Sequence, residues 1–452
     1  MGRVNYTYKD KFLLTASFRT DGSSKFRGEN QWGYFPSGAF AWVVTKEKFM
    51  KKIRPISDLK FRVSYGTTGN NRVDEYATYS GVIFPFTAHY SFNNGTPIRG
   101  ASLRTSAGTT DLRWETTTQF NTGIDLNLLN DRINLVFDYY NKTTDDLLLN
   151  ANLPYTSGYL NAFQNIGSVR NQGLEFTLQT QNIKRKNFTW NTSFNISFNK
   201  NKVLKLQDDQ AYRLSTVPFA GGFTNIAPYI AKVGEPMGLM YGAVADGLYQ
   251  YSDFDQLPNG TYVLKDGIPD NGRTRNTIQP GDMKFIDQNN DGTINSEDYT
   301  VIGNGNPLHI GGMLNNFTFG DFDLSIFLQW SYGNDIVNAN KLYFEENTLQ
   351  LYNFNLYASA ANRWTPENQN TNIPRARHVS PSIYHSNIIE DGSYLRFKTI
   401  SLGYQLPAKL IRRVNMKAAR AYLSVQKPTN DYRLFRRRSG SVNPQFCFDS
   451  WI

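Results

Sequence analysis

No stretch of this 452-residue chain approaches the roughly 18–20 consecutive apolar residues that a membrane-spanning helix needs, and its mean hydropathy is −0.50. An α-helical membrane protein is excluded. Cysteine is almost absent: the single Cys447 rules out an intrachain disulfide framework and any cluster of thiolate metal ligands. Histidine is scarce too. His89, His309, His378 and His385 stand at no metal-ligand or triad spacing, and solvated loop positions are expected for the last two, which share an outer loop. No glycine-rich phosphate loop, no nucleophile elbow and no carboxylate pair set for acid–base work occurs, so no enzyme is expected. The opening Met1-Gly2-Arg3-Val4-Asn5-Tyr6 reads as strand rather than as a secretion signal.

What the chain has in quantity is aromatic residues, at 14%, set among Asn, Thr, Ser and Gly. That mixture suits β-structure with polar turns and one wet face. The net charge of +10 reads as scattered, apart from a basic stretch at Arg433–Arg438. No nucleic-acid-binding motif accompanies it, and no nucleic-acid partner is expected.

The main signal is long alternation with a period of two. Phe188, Trp190, Thr192, Phe194, Ile196 and Phe198 share one face, and Thr189, Asn191, Ser193, Asn195, Ser197 and Asn199 the other. Leu59, Phe61, Val63 and Tyr65 alternate with Lys60, Arg62 and Ser64 in the same way. Strands in soluble proteins usually stop after about 5–6 residues, whereas a tilted membrane strand needs about 9–11. Twelve strands are expected near residues 2–8, 11–21, 34–45, 58–67, 113–128, 132–145, 170–182, 187–200, 307–319, 321–335, 393–405 and 417–426. Their connections alternate between compact turns and long loops, the latter at 68–112, 146–169, 201–306 and 336–392 with a shorter member at 22–33. Short turns at one rim and long loops at the other mark an outer-membrane barrel.

In hydrocarbon every backbone group must be paired internally, so strands span only as a closed barrel. The fold class is therefore all-β: an antiparallel transmembrane barrel whose apolar faces meet lipid and whose Asn/Ser/Thr/Asp faces line a hydrated lumen. Trp114, Trp190, Trp330 and Tyr332 are placed in interfacial aromatic girdles. The competing reading is a β-rich surface module that binds glycans. In either case the loop aromatics Phe84, Phe86, Tyr90, Tyr241, Tyr249, Tyr251, Tyr343 and Tyr352 stack on sugars, hold a lid or pack the loops on themselves. No substrate residue is singled out.

Several blocks carry a family likeness. Arg19-Thr20-Asp21-Gly22-Ser23-Ser24-Lys25-Phe26, Gly33-Tyr34-Phe35-Pro36-Ser37 with Trp42, and Leu59-Lys60-Phe61-Arg62-Val63-Ser64-Tyr65-Gly66 with Gly69-Asn70 come first. Asn165-Ile166-Gly167-Ser168-Val169-Arg170-Asn171-Gln172-Gly173-Leu174-Glu175, Pro280-Gly281-Asp282 and Ser393-Tyr394-Leu395-Arg396-Phe397-Lys398 follow in order. Together they resemble the SusC/RagA family of TonB-dependent transporters across roughly residues 2–426. The resemblance implies a barrel of about 22 strands with a plug inside. It also implies a SusD-like surface lipoprotein as lid, the TonB complex as energy source, oligosaccharide or peptide substrates, and residence in the outer-membrane lipid. Against that pattern the chain lacks signal peptide, N-terminal extension, TonB box, plug and first barrel strands. It is expected to supply about twelve wall strands with two unpaired sheet edges. An inactive fragment of a broken gene is the remaining alternative.

The carboxyl end departs from the pattern. After Gln426 the alternation gives way to Lys427-Pro428-Thr429-Asn430-Asp431 and the basic stretch, and the chain ends Ser450-Trp451-Ile452 where the family closes on an aromatic, typically Phe. Residues 1–426 are read as barrel and 427–452 as an aberrant tail, produced by a reading-frame shift near Gln426 or by a divergent loop.

One chemical motif stands out, Asp287-Gln288-Asn289-Asn290-Asp291-Gly292-Thr293-Ile294-Asn295-Ser296-Glu297-Asp298. It matches a calcium loop: Asp287, Asn289, Asp291 and Asn295 at positions 1, 3, 5 and 9, the Thr293 carbonyl at 7, and Asp298 at 12. Gly292 makes the sharp turn and Ile294 is expected to pack beneath. Since Asp replaces the usual terminal Glu and no helix pair flanks the loop, a structural Ca²⁺ that stabilises a loop is expected, with no catalytic cofactor.

Overall fold

A computed structural model describes residues 1–84, 89–91, 95, 98–100, 102–103, 106–207, 210–215, 227–346, 355–376, 383–407 and 418–431, without the side chains of 89, 90, 98, 99, 102, 103, 152 and 427–431. Twelve long strands form one sheet: β1 (Gly2–Tyr8), β2 (Phe12–Gly22), β3 (Trp32–Val43), β4 (Ile56–Asn70), β5 (Glu115–Leu128), β6 (Ile133–Asp145), β7 (Ser168–Arg185), β8 (Phe188–Lys205), β9 (His309–Phe319), β10 (Phe322–Tyr332), β11 (Tyr394–Gln405) and β12 (Arg420–Asp431). Each pairs antiparallel with its neighbours in chain order, giving a pure meander with β1 and β12 at its edges. All twelve expected strands are present. Several are longer than the periodicity indicated, because pairing continues past the last apolar residue: β7 and β8 reach 18 residues each. The last strand likewise runs on to Asp431, past a register irregularity between Phe397 and Thr399. Cys447 and the Arg433–Arg438 stretch lie outside the described residues.

The register sorts side chains as the alternation requires. Trp42, Phe61, Ile124, Phe137, Phe176 and Ile196 stand opposite one another across six strands. One residue along, on the other face, lie Arg62, Gly123, Asp138, Glu175 and Ser197. The apolar face is bare: Phe61, Val63, Phe137 and Phe198 are all exposed. A soluble protein does not leave an apolar wall of this extent uncovered. That face is not uniformly apolar. Thr180 donates to Asn182, Asn182 to Thr192, and both Thr192 and the Trp190 indole donate to Asn315, which is itself buried. Asn182 sits where the β7–β8 register slips, and the chain of bonds lets polar groups lie on the apolar face without loss of partners.

The turns show why the short rim is short. Lys9 and Asp10 both take positive φ, which closes a tight hairpin, and Gly320 does the same between β9 and β10. At the opposite rim the long connections carry the true hydrophobic cores. The fully buried Tyr249, Tyr384, Phe26 and Phe285 all belong to loops, and none lies in the wall. Ala243, Leu248, Met283, Phe285 and Ile294 from the 206–308 connection pack with Trp364 and Ile383 from 333–393. Ile294 thus packs inward, as the loop motif led one to expect.

Candidate functional site

Three constellations on this frame carry chemistry: the polar face of the wall, the calcium-type loop, and the clasp between the two longest connections.

On the polar face Arg62 of β4 donates to Asp125 of β5 at 2.7 Å and, across β5, to Asp138 of β6 at 2.9 Å. Lys60 stands 3.5 Å from the same Asp125. The reach to a strand two places away exists because Gly123 lies between: a Cβ there would collide with Asp138 Oδ1 and stand 3.0 Å from Arg62 Nη2. The device recurs. Gly173 makes room for Tyr140 to cross β7 and donate to Asn199 at 2.9 Å, and Gly403 for Arg420 to cross β11 and grip Asp323. Charged and polar side chains therefore lie flat along the wall rather than projecting from it. Period-two reading places these glycines on the polar face but gives no hint that they are crossing points.

In the calcium-type loop, Asp287 accepts from the backbone N–H of Asn290, Asp291 and Gly292, Asn289 from that of Asp291, Asp291 from that of Thr293, and Asn295 from that of Glu297. Desolvation pushes the Asp287 carboxyl up, but the backbone donors together outweigh it and hold the group below its ordinary range. Asn290 and Gly292 adopt positive φ, as the tight turn demands. Asp298 is fully buried, and its two oxygens accept from Gln288 and Asn295 N–H, so it ties the two ends of the loop together. Among the described residues no three His, Cys, Asp or Glu side chains gather as a metal site. The oxygen-only donor set of this loop nevertheless suits a hard cation, with amide and carbonyl oxygens beside Asp287 and Asp291.

The clasp is built on the Pro280-Gly281-Asp282 block. Asp282 is fully buried and accepts from Arg375 at 2.7 Å and from Gln279 N–H at 2.9 Å. Gly281 takes φ +83 and lies flush against the Trp364 indole, where a Cβ would overlap the ring. Nearby, His385 and Glu346 meet at 3.2 Å, both buried, with Phe285 against the imidazole. His385 was expected in solvent. It is buried because Ala243 and Tyr384 bond backbone to backbone and draw its segment into the loop core.

Other expected positions scatter. His309 lies on the apolar face and accepts from the Trp330 indole, stacked on Tyr332; the His89 side chain and His378 lie outside the described residues. Trp114 packs on Phe26 and Phe35 at the base of a loop instead of joining a girdle, because its indole donates inward to Gln31. Of the loop aromatics, Tyr249 is buried and donates to Pro269, a position that raises its phenol pKa by desolvation. Tyr251 packs between Tyr262 and Trp364, Tyr241 meets Tyr299, and Tyr343 meets Phe344. Phe84 is exposed, while Phe86, Tyr352 and the Tyr90 side chain lie outside the described residues. Sequence reading missed Tyr76 and Tyr79. Both are exposed on an open cleft of about 1130 Å³ shared with Ser24, Lys25 and Glu75, and the Arg27 guanidinium lies 3.7 Å from the Tyr79 ring centre.

Comparison with known proteins places this arrangement. Residues 1–303 match the family described as TonB dependent receptor-like, beta-barrel. TonB-dependent receptor P3 of Formosa agariphila is 36% identical over 425 residues, covering 94% of this chain and 40% of the relative. TonB-dependent receptor SusC of Bacteroides thetaiotaomicron is 30% identical over 436 residues, again covering 94% and 40%. In the solved structure of the RagAB peptide transporter, one chain is 26% identical with a TM-score of 0.76, covering 95% of this chain and 43% of that one. The chain thus spans about 40% of the length of the curated relatives it matches. A meander of two-faced strands, short turns at one rim, packed loops at the other and the likeness to SusC and RagAB agree: this chain belongs to the family of TonB-dependent receptor β-barrels, in its SusC/RagA branch.

Proposed function

We propose that the chain forms part of the wall and outer loops of an outer-membrane importer. That importer takes up oligosaccharides or peptides with a SusD-like lipoprotein as lid and the TonB complex as its energy source. The observation that carries this reading is the exposed apolar face running across the meander, which only lipid covers at acceptable cost. The polar face then lines a hydrated lumen, with the Arg62–Asp125–Asp138 network lying flat against it. The chain is not proposed as an enzyme, since its named relatives are receptors and a transporter. The test uses the whole protein in its native cell. Deleting the gene should abolish uptake of one oligosaccharide or peptide class, and pull-down should bring a lipoprotein with the barrel. Unchanged growth on every such nutrient, or extraction of the protein without detergent, would sink the proposal.

The loop at 287–298 we propose as a structural calcium site: Asp287, Asn289, Asp291, Asn295 and the Thr293 carbonyl face the ion, and Asp298 closes the loop around it. Calorimetric titration of the whole protein should show calcium binding that Asp291→Ala removes. Identical titrations for the two proteins would reduce the site to a turn.

A further inference from the structure

The positive charge that looks scattered along the chain is gathered by the fold. The β3–β4 connection, residues 44–55, holds Lys46, Lys48, Lys51, Lys52 and Arg54, every one exposed and none in an ion pair among the described residues. Its only carboxylate, Glu47, is already taken by Lys11 at 2.8 Å. Successive backbone bonds Glu47→Val44, Met50→Glu47, Ile53→Met50 and Ile56→Ile53 wind this segment into short 3₁₀ turns. Val44 and Met50 are pegged inward, and Phe49 and Ile53 turn outward at 59% and 44% exposure. Exposed apolar side chains interleaved with lysines make a segment suited to lie in a membrane interface.

The patch continues along the same rim. Leu129 N–H donates to Pro55 O and Asp131 N–H to Ser57, which joins this connection to the β5–β6 turn. Arg132 then donates to the carbonyls of Gln181 and Asn182, at the foot of β7. There Lys184, Arg185 and Lys186 are exposed, again without ion pairs among the described residues. Just inside this rim, on the apolar face, Trp42 stacks with Phe12 and Phe61 at 6.3 and 6.2 Å, and Trp190 with Phe317 at 5.6 Å. The long-loop rim is built differently, with the carboxylates Asp291 and Glu297 exposed and Asp287 half-buried in one turn.

We propose that the short-turn rim beneath β3 to β8 is a docking surface for anionic phospholipid headgroups of the adjoining leaflet. The cations meet phosphate, Phe49 and Ile53 enter the headgroup–acyl boundary, and the aromatic belt fixes the depth. Continuity with the lipid-facing wall selects a membrane over an acidic protein, and a soluble anion would leave Phe49 and Ile53 in water. The inference rests on the chain's place in a membrane barrel. Each cation near such a surface adds about fivefold in affinity.

The test is native mass spectrometry of the whole protein in neutral detergent, titrated with phosphatidylglycerol or phosphatidylcholine. The wild type should retain phosphatidylglycerol at least tenfold better, with the preference fading in high salt. The triple changes Lys51→Gln/Lys52→Gln/Arg54→Gln and Lys184→Gln/Arg185→Gln/Lys186→Gln should each cut that preference by tenfold or more. Lys232→Gln, on the long-loop side, should leave it intact. Because the altered side chains are exposed and unpaired, gel mobility with and without heating will show that the variants remain folded barrels. Equal retention of the two lipids, or an equal loss in Lys232→Gln, overturns the proposal. So does tight capture of a polyglutamate peptide without lipid preference, which would assign the rim to an acidic protein. Failure to associate with either lipid would instead overturn the membrane-barrel reading beneath it.

Discussion

Gly123→Ala is the sharpest test of how the polar face is built. The added methyl enters the space through which Arg62 reaches Asp138, so one arm of the Arg62 bridge must leave while the Asp125 arm stays. Both partners are about a third exposed, at 36% and 28%, so the arm counts as a solvent-screened pair and not a buried one. Together with the displacement of Asp138, the expected loss is about 1–2 kcal/mol, or roughly 5–30-fold in the folding equilibrium. On propensity alone the sign would be opposite, because Ala is favoured over Gly inside a strand by about 0.5–1 kcal/mol. The measurement is urea unfolding of the whole protein in lipid vesicles, followed by tryptophan fluorescence, in wild-type and Asp138→Ala backgrounds. In the second background the obstructing carboxylate is gone, and Gly123→Ala should be neutral or stabilising. An equal destabilisation in both backgrounds would show that the glycine serves something other than the crossing, and the reasoning fails.

Three further outcomes are expected. Arg375→Gln withdraws a guanidinium from the fully buried Asp282 and should cost about 2–4 kcal/mol locally, seen as faster proteolysis within 333–393 while the wall stays intact. Asn315→Leu leaves the Trp190 N–H on the lipid side without an acceptor and should lower the unfolding free energy by about 1–3 kcal/mol, whereas a change at the exposed Asn187 should not. The hydrogen bond from Lys11 holds the Glu47 carboxyl below its ordinary value, so the folded-state pKa is depressed. The link is therefore fully present above the unfolded Glu pKa of about 4.3 and is lost as pH falls through the lower folded value. A carbon-13 carboxyl titration should place Glu47 below that reference and return it there in Lys11→Gln.

Much of the wall was legible because β-strands write their exposure into the chain with a period of two. Phe188 to Phe198 and their polar alternates identify a two-faced ribbon, and ribbons of this length joined by short and long connections in turn leave few architectures. The same local logic exposed the calcium-type loop, most of whose hydrogen bonds join residues within the motif, while Ile294 N–H and Gly292 O also reach back to Asp270. Failures came where a contact joins segments distant in sequence. His385 is buried because Ala243, more than a hundred residues earlier, bonds to its neighbour. Trp114 left the girdle because Phe26 and Gln31 claim it.

The sequence by itself determined that the protein is a meander of long amphipathic strands, where those strands lie and which faces are apolar, since these depend on neighbours one and two residues away. Only the tertiary structure decided what lies across a strand. The crossing of Arg62 over Gly123, the grip of Arg375 on Asp282 and the gathering of Lys52, Arg132 and Lys184 onto one rim are set by pairing register and by loops meeting loops. Charge scattered in one dimension becomes a patch in three because antiparallel pairing brings alternate turns to the same edge.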